Sequence, residues 1–188
     1  MRIQALAATL ILALVVACEA PEEAPPVTDE PAPAAAPAEL TLPDWIEVDE
    51  ASEMVSIHLT AGATPGNNYW NFQGHFGGTG EVVVPAGYTV EMTLDNQDPA
   101  MAHSVGVGEL LPSYPNQFPE VEPIFEGAVT SNPRSLTEST LPGEQETITF
   151  VADQAGEYAL ICYVTGHAAS GMWMPFTVSA EGEVGVIE

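Results

Sequence analysis

From about Leu40 onward the 188-residue chain predicts an all-β domain, a sandwich or a barrel, and three observations carry that expectation. Short runs rich in Val, Ile, Thr, Tyr and Phe follow one another, punctuated by Gly, Pro and Asn. No segment sustains a helical period of apolar residues. Several runs alternate apolar and polar side chains, the mark of a strand with one buried face.

The expected strands, in order, are Met54 to Thr60, Tyr69 to Phe72, Glu81 to Val84, Thr89 to Leu94, His103 to Val107, Glu146 to Val151, Tyr158 to Tyr163 and Pro175 to Ser179. Alternation places Val90, Met92 and Leu94 on one face, as it does His103, Val105 and Val107, and Tyr158, Leu160 and Cys162. Each of the last two faces ends in a potential metal ligand. The QGHFGGTGE run around Gly74, Gly77, Gly78 and Gly80 lacks the Lys and the following helix of a phosphate loop, so it is expected to be a turn between strands. Gly108 to Thr137, rich in Pro and Asn, is expected to be a long connection packed against the β domain.

Charge excludes several functions. The chain carries 27 Asp plus Glu against two basic residues, Arg2 and Arg134, for a net charge of −25. Polyanion binding needs rows of Lys and Arg, so nucleic acids and anionic membrane surfaces are excluded as electrostatic partners. The 46% hydrophobic content argues against wholesale disorder, and the length suffices for a core without disulfide staples.

The N-terminal part reads differently. Residues 1–17 join Arg2 to an apolar run from Ala5 to Ala17, too short to span a membrane but suited to a secretory leader. Val15-Val16-Ala17-Cys18 resembles the bacterial lipobox, which implies cleavage before Cys18 and its lipidation. Residues 18–39 hold that Cys and a spacer: seven Ala, six Pro and six acids leave almost nothing to bury, so a disordered, extended tail is expected. At about 3.1 Å per residue it would reach about 65 Å at most. Residues 40–188 are expected to form the folded domain, exported and held at the cell envelope or periplasm by the lipid.

The sharpest feature is Cys162-Tyr-Val-Thr-Gly-His167-Ala-Ala-Ser-Gly-Met172, spaced C-x4-H-x4-M just after an expected strand. With His103 far upstream it supplies a thiolate, two imidazoles and a thioether. Soft sulfur ligands favour Cu(I) and imidazoles accept Cu(II), so the set matches one copper ion with a His2Cys plane and a long axial Met. Met174 is the rival axial residue and is read as packing. His58 and His75 have no Cys or Met beside them and are read as structural or exposed. A Cys162–Cys18 disulfide would join a strand to a flexible terminus without evident use.

These residues carry a resemblance. Across Tyr69 to Val178 the YWNFQG run, the Pro85-Ala86-Gly87 turn, the Asn96 to Ser104 segment and CYVTGHAASGMW are similar to the small blue copper proteins, the cupredoxins, most of all the sulfocyanin and rusticyanin group. The resemblance implies a Greek-key β-sandwich, one type 1 copper with His103, Cys162 and His167 in plane and Met172 axial, and Ser104 as a neighbour that tunes the site by hydrogen bonding.

Tyr158 to Ala180 and Ala100 to Gly108 contain no charged residue, although the domain is strongly acidic. An apolar docking rim of Ala168, Ala169, Met172, Trp173, Met174 and Pro175 is therefore expected around the copper, with His167 near the surface as the electron exit and a relatively high potential. The acidic surroundings are read equally as steering for a cationic redox partner or as general solvation. The expected function is a membrane-tethered, monomeric one-electron carrier between a cytochrome or quinol-oxidising complex and a terminal oxidase, not an enzyme. Four His and no H-x-H pair leave too few ligands for a multicopper cluster. Copper storage or delivery is the alternative and favours an exposed, exchangeable site.

Overall fold

A computed structural model describes residues 39–188; the leader, Cys18 and nearly all of the spacer lie outside the described residues. Among the described residues nine strands form two sheets: β1 (Ile46–Asp49), β2 (Met54–Ala61), β3 (Glu81–Pro85), β4 (Thr89–Asn96), β5 (Gly106–Glu109), β6 (Gln145–Val151), β7 (Gly156–Ile161), β8 (Trp173–Ser179) and β9 (Gly185–Ile187). One sheet runs β1-β2-β4-β6 and the other β5-β7-β8-β3-β9. The pairs β2/β4 and β3/β8 are parallel and the rest antiparallel. No helix among the described residues is long and apolar enough to cross a membrane.

Alternation decides which faces meet. Val55, Ile57 and Leu59 of β2, Val90, Met92 and Leu94 of β4, and Ile148 and Phe150 of β6 point inward from the first sheet. Val82, Val84, Leu160, Phe176 and Val178 answer from the second. At about 1.5–3 kcal/mol for each large apolar side chain buried, this layer is the main source of stability. The second half of β7 is buried on both faces: Ala159 and Ile161, on its outer face, are covered by Tyr114, Phe118 and Val121 from the long connection. Pro85-Ala86-Gly87 turns the chain from β3 into β4, with Gly87 at φ 87° and its N–H donating to the Ala152 carbonyl at 2.7 Å.

Some boundaries differ from the sequence expectation. Tyr69 to Phe72 is not a strand: Asn67, Asn68 and Tyr69 take φ of 50°, 59° and 65°, a left-handed turn, and only Phe72 makes isolated bridges, to Ala61 and His75. The strand expected from His103 begins at Gly106; His103 instead pairs alone with Thr140, its N–H donating at 3.0 Å. Strand β7 stops at Ile161, so Cys162 sits just past its end. Strands β1 and β9 were not expected.

The glycine run is indeed a turn, between β2 and β3, and it also clamps the far loop. The Gly77 N–H donates to the Gly171 carbonyl at 2.7 Å, and the Gly78 N–H to that of Trp173 at 3.4 Å. At Gly78 a Cβ would lie 2.6 Å from the Trp173 ring, at φ +85°, so both space and backbone demand glycine.

Candidate metal centre

Three segments deliver the centre. The Asp98–His103 loop leaves β4, Cys162 follows β7, and His167 to Met172 form the turn before β8. The last two are laced together: the Met172 N–H donates to the His167 carbonyl at 2.9 Å, and the Cys162 N–H donates to the Met172 carbonyl at 3.1 Å. Met172 is thereby fixed beside both ligands and is fully buried. Met174 is also buried, but on β8, in register with Leu160 and alternating inward with Phe176.

His103, Cys162 and His167 bring one ligand atom each to within 4.8 Å of one another, and all three residues are buried. The two Nδ1 atoms are 3.1 Å apart, and Cys162 Sγ lies 3.8 Å from His103 Nδ1 and 3.4 Å from His167 Nδ1. Among the described residues no other His, Cys, Asp or Glu joins the cluster. His58 lies near Asp95 and His75 near Glu188, each at 3.5 Å and outside the centre.

The protonation pattern suits a metal. The His103 Nε2–H donates to the Asp98 carboxylate at 2.9 Å, which leaves its Nδ1 lone pair facing the cluster. Burial pushes Asp98 up, but the N–H groups of Ala100 and Met101 and the His103 ring outweigh it and hold the carboxyl below its ordinary range. Burial holds the His103 imidazole low, against the pull of Asp98. Burial also pushes His167 down to about 3, so both rings are neutral at pH 7. The Cys162 thiol is pushed up to about 11 by burial, against hydrogen bonds from Ser104 and Val164. A buried site of converging lone pairs with a thiol that metal binding must deprotonate fits a soft cation. His2Cys with a thioether is the donor set of type 1 copper, and these residues fit one such ion.

Ser104 stands at the thiol. Its N–H donates to Cys162 Sγ at 3.5 Å, its hydroxyl is 3.8 Å away, and the Tyr163 N–H donates to its Oγ at 2.9 Å. Asp98 was missed from sequence because it is one acid among 27; its signal is its place five residues before His103, at the edge of an uncharged stretch. Asn96 frames that loop, its amide donating to the Met101 and Thr140 carbonyls at 2.9 and 2.8 Å.

Two expectations require correction. His167 is not near the surface: its exposure is 0%, because the Trp70 indole stacks on it with centroids 4.1 Å apart and planes at 19°. Nor is the docking rim continuous. Ala168 and Met174 are buried, as is Met172, because they face the interior. Ala169 is exposed, while Trp173 and Pro175 are half-buried, Trp173 wedged against Tyr114 and the glycine turn. Trp70 was also missed, and its signal is compositional. Met54 to Gly80 holds no Asp, Glu, Lys or Arg, a third uncharged stretch beside the two already noted.

Comparison with known proteins places the chain. Residues 43–185 match the family model of the sulfocyanin (SoxE) domain. The sulfocyanin of Sulfolobus acidocaldarius is 29% identical over 134 residues, which are 69% of this chain and 65% of that protein. Rusticyanin of Acidithiobacillus ferrooxidans is 28% identical over 120 residues, 63% of this chain and 60% of that protein. The chain thus spans less than two thirds of the length of these curated relatives. A structure of rusticyanin from Thiobacillus ferrooxidans superposes with a TM-score of 0.50 at 25% identity, covering 72% of this chain and 87% of that one. With the ligand loop, His103 and strands β1 to β8 all inside the matched span, the chain belongs to the sulfocyanin family, within the sulfocyanin and rusticyanin group of blue copper cupredoxins.

Proposed function

We propose that the protein is a one-electron carrier that holds a single type 1 copper in the His103, Cys162, His167 and Met172 site. The observation that carries this is the pre-assembled, buried His2Cys cluster. When bound, the copper supplies one-electron chemistry, cycling between Cu(I) and Cu(II). The chain's part is to keep its ligands still. Asp98 fixes the His103 ring, Ser104 holds the Cys162 sulfur, Trp70 lies flat on His167, and backbone bonds lock Met172 to the loop. Ligands that cannot relax accommodate both oxidation states with little rearrangement, which favours fast transfer. Full burial disfavours the exchange that copper storage or delivery requires.

Burial and a thioether ligand favour the less charged Cu(I), so the potential is expected to be relatively high. The partner surface is taken to lie over the uncharged segments that carry the ligands, and the acids elsewhere on the domain suit a cationic protein such as a basic cytochrome as donor, with a terminal oxidase as acceptor. A lipid on Cys18 would hold the protein, as a monomer, at the cell envelope, with the Ala/Pro/Glu spacer giving it reach.

The test is to add Cu(II) to the full chain and record its visible spectrum. An intense thiolate-to-copper band that disappears in Cys162→Ser is the expected result. A colourless protein that prefers zinc would overturn the reading.

A further inference from the structure

All four side chains assigned to copper have no exposed surface, so something other than a ligand forms the outside of the centre. On the His167 side that group is Trp70. Its indole is half-buried and nearly parallel to the imidazole, 4.1 Å away. The backbone leading to it is unusual: Asn67, Asn68 and Tyr69 are three successive non-glycine residues at positive φ, between 50° and 65°. Such residues persist only when their surroundings hold them, and they collect at functional sites.

The holding contacts are visible. The Asn67 amide donates to the Trp70 carbonyl at 2.8 Å and to the Ser170 carbonyl at 3.0 Å, tying the indole's backbone to the loop that carries His167. The Asn71 amide donates to the Thr64 and Gly66 carbonyls at 2.8 Å each, closing the turn from the other end. Meanwhile Trp70 Nε1 and His167 Nε2 are both buried without a hydrogen-bond partner. Buried polar atoms are normally paired, so the stacked contact leaves a nitrogen of each ring unsatisfied.

We infer that Trp70 is a shutter on the metal centre: a positioning residue that holds the His167 ring by stacking and keeps water and exogenous ligands away from it. A redox partner docking at this end then meets the indole, not the imidazole. The inference rests on the copper reading for its functional meaning, but the shielding itself does not depend on a bound metal.

The four histidines supply the assay. The metal-free full-length protein is treated with diethyl pyrocarbonate at neutral pH and the modification rate of each His is followed by peptide mass spectrometry. His58, whose side chain is 51% exposed, is the reactive standard, and His103, fully buried against Asp98, the protected one. Shielding predicts slow His167 modification in the wild type and in Trp70→Phe, which keeps a stacking ring. In Trp70→Ala it predicts a rise of about tenfold or more at His167 alone, the selective signature of a local opening. A His167 as reactive as His58 in the wild type, or unmoved by Trp70→Ala, overturns the inference. So does a joint rise of His103 and His167 in both Trp70→Ala and Asn67→Ala, because the turn would then support the fold at large. With copper added, azide is expected to perturb the visible band of Trp70→Ala and not of Trp70→Phe. If the wild type gives no such band, the copper reading fails while the reactivity result stands.

Discussion

Replacing Asp98 by Asn exchanges one oxygen for an NH2 group and tests how the centre sets the state of His103. In the native loop Asp98 is 3% exposed, and one carboxylate oxygen accepts the Ala100 and Met101 N–H groups at 2.8 and 3.1 Å. The other accepts the His103 Nε2–H at 2.9 Å. If the Asn oxygen keeps the two backbone bonds, its NH2 faces Nε2–H, and two donors cannot pair. The imidazole proton then moves to Nδ1, the atom 3.1 Å from His167 Nδ1 that must present a lone pair to the metal. Loss of such a supporting partner typically costs about 10–100-fold in metal affinity. That is about 1.4–2.7 kcal/mol. If the amide flips instead, His103 is satisfied but two backbone donors are orphaned, and the cost of about 1–3 kcal/mol falls on folding. A copper competition titration against a chelator, run beside thermal unfolding of the metal-free protein, separates the two outcomes. An affinity within twofold of wild type together with an unchanged Tm would refute the role given to Asp98.

Acid is expected to destabilise the metal-free protein through its buried imidazoles. His167 is held down to about 3 by burial while its unfolded counterpart titrates near 6.5, so its contribution is complete above pH 6.5 and drains away as pH falls toward 3. By pH 4.5 the loss is about 2–3 kcal/mol from this ring, with His103 adding in the same direction. Urea unfolding at pH 7.5 and 4.5 measures it, and equal stabilities would contradict the burial argument. The glycine clamp gives a paired comparison. Gly78→Ala drives a Cβ to 2.6 Å from the Trp173 ring, whereas Gly87→Ala, at a similar φ of +87°, meets nothing within 4 Å. The first is expected to cost about 1–3 kcal/mol more than the second by chemical denaturation, the excess being overpacking.

Legibility in the sequence followed from which contacts are local. Strand β4 could be read because only one of its faces is core: Val90, Met92 and Leu94 alternate with residues that contact solvent. The outer face of β7 could not, since Ala159 and Ile161 are apolar too and are covered by a connection that carries no periodic signal. The aromatic Tyr69 to Phe72 run has strand composition, but the Asn67-Asn68 pair puts the chain into a left-handed turn before pairing can start. Strands β1 and β9 are four and three residues long and exist because β2 and β3 offer them an edge. Cys162, His167 and Met172 were legible because one short loop carries all three. Asp98 and Trp70 act through contacts across the fold, and neither belongs to a ligand motif.

The charge pattern bears on the potential in a way that can be tested. A domain with 21 acids after Leu40 and one Arg should, by net charge alone, stabilise Cu(II) and depress the potential. Burial decides otherwise. Among the described residues only Asp95 and Asp98 are buried acids, and only Asp98 touches a ligand. Exposed acids act through solvent, where the Debye length is about 8 Å at physiological ionic strength and about 3 Å at 1 M. Burial, the thioether and the Asp98 carboxylate are little screened, so they are expected to set the potential. The midpoint should therefore shift only slightly from low salt to 1 M, while the rate of reaction with a basic cytochrome falls steeply over the same range if the acids steer encounter. Screening of governing surface acids would instead destabilise Cu(II) and raise the midpoint strongly with salt. That outcome would return control of the site to the net charge and remove the reason for keeping charge away from its rim.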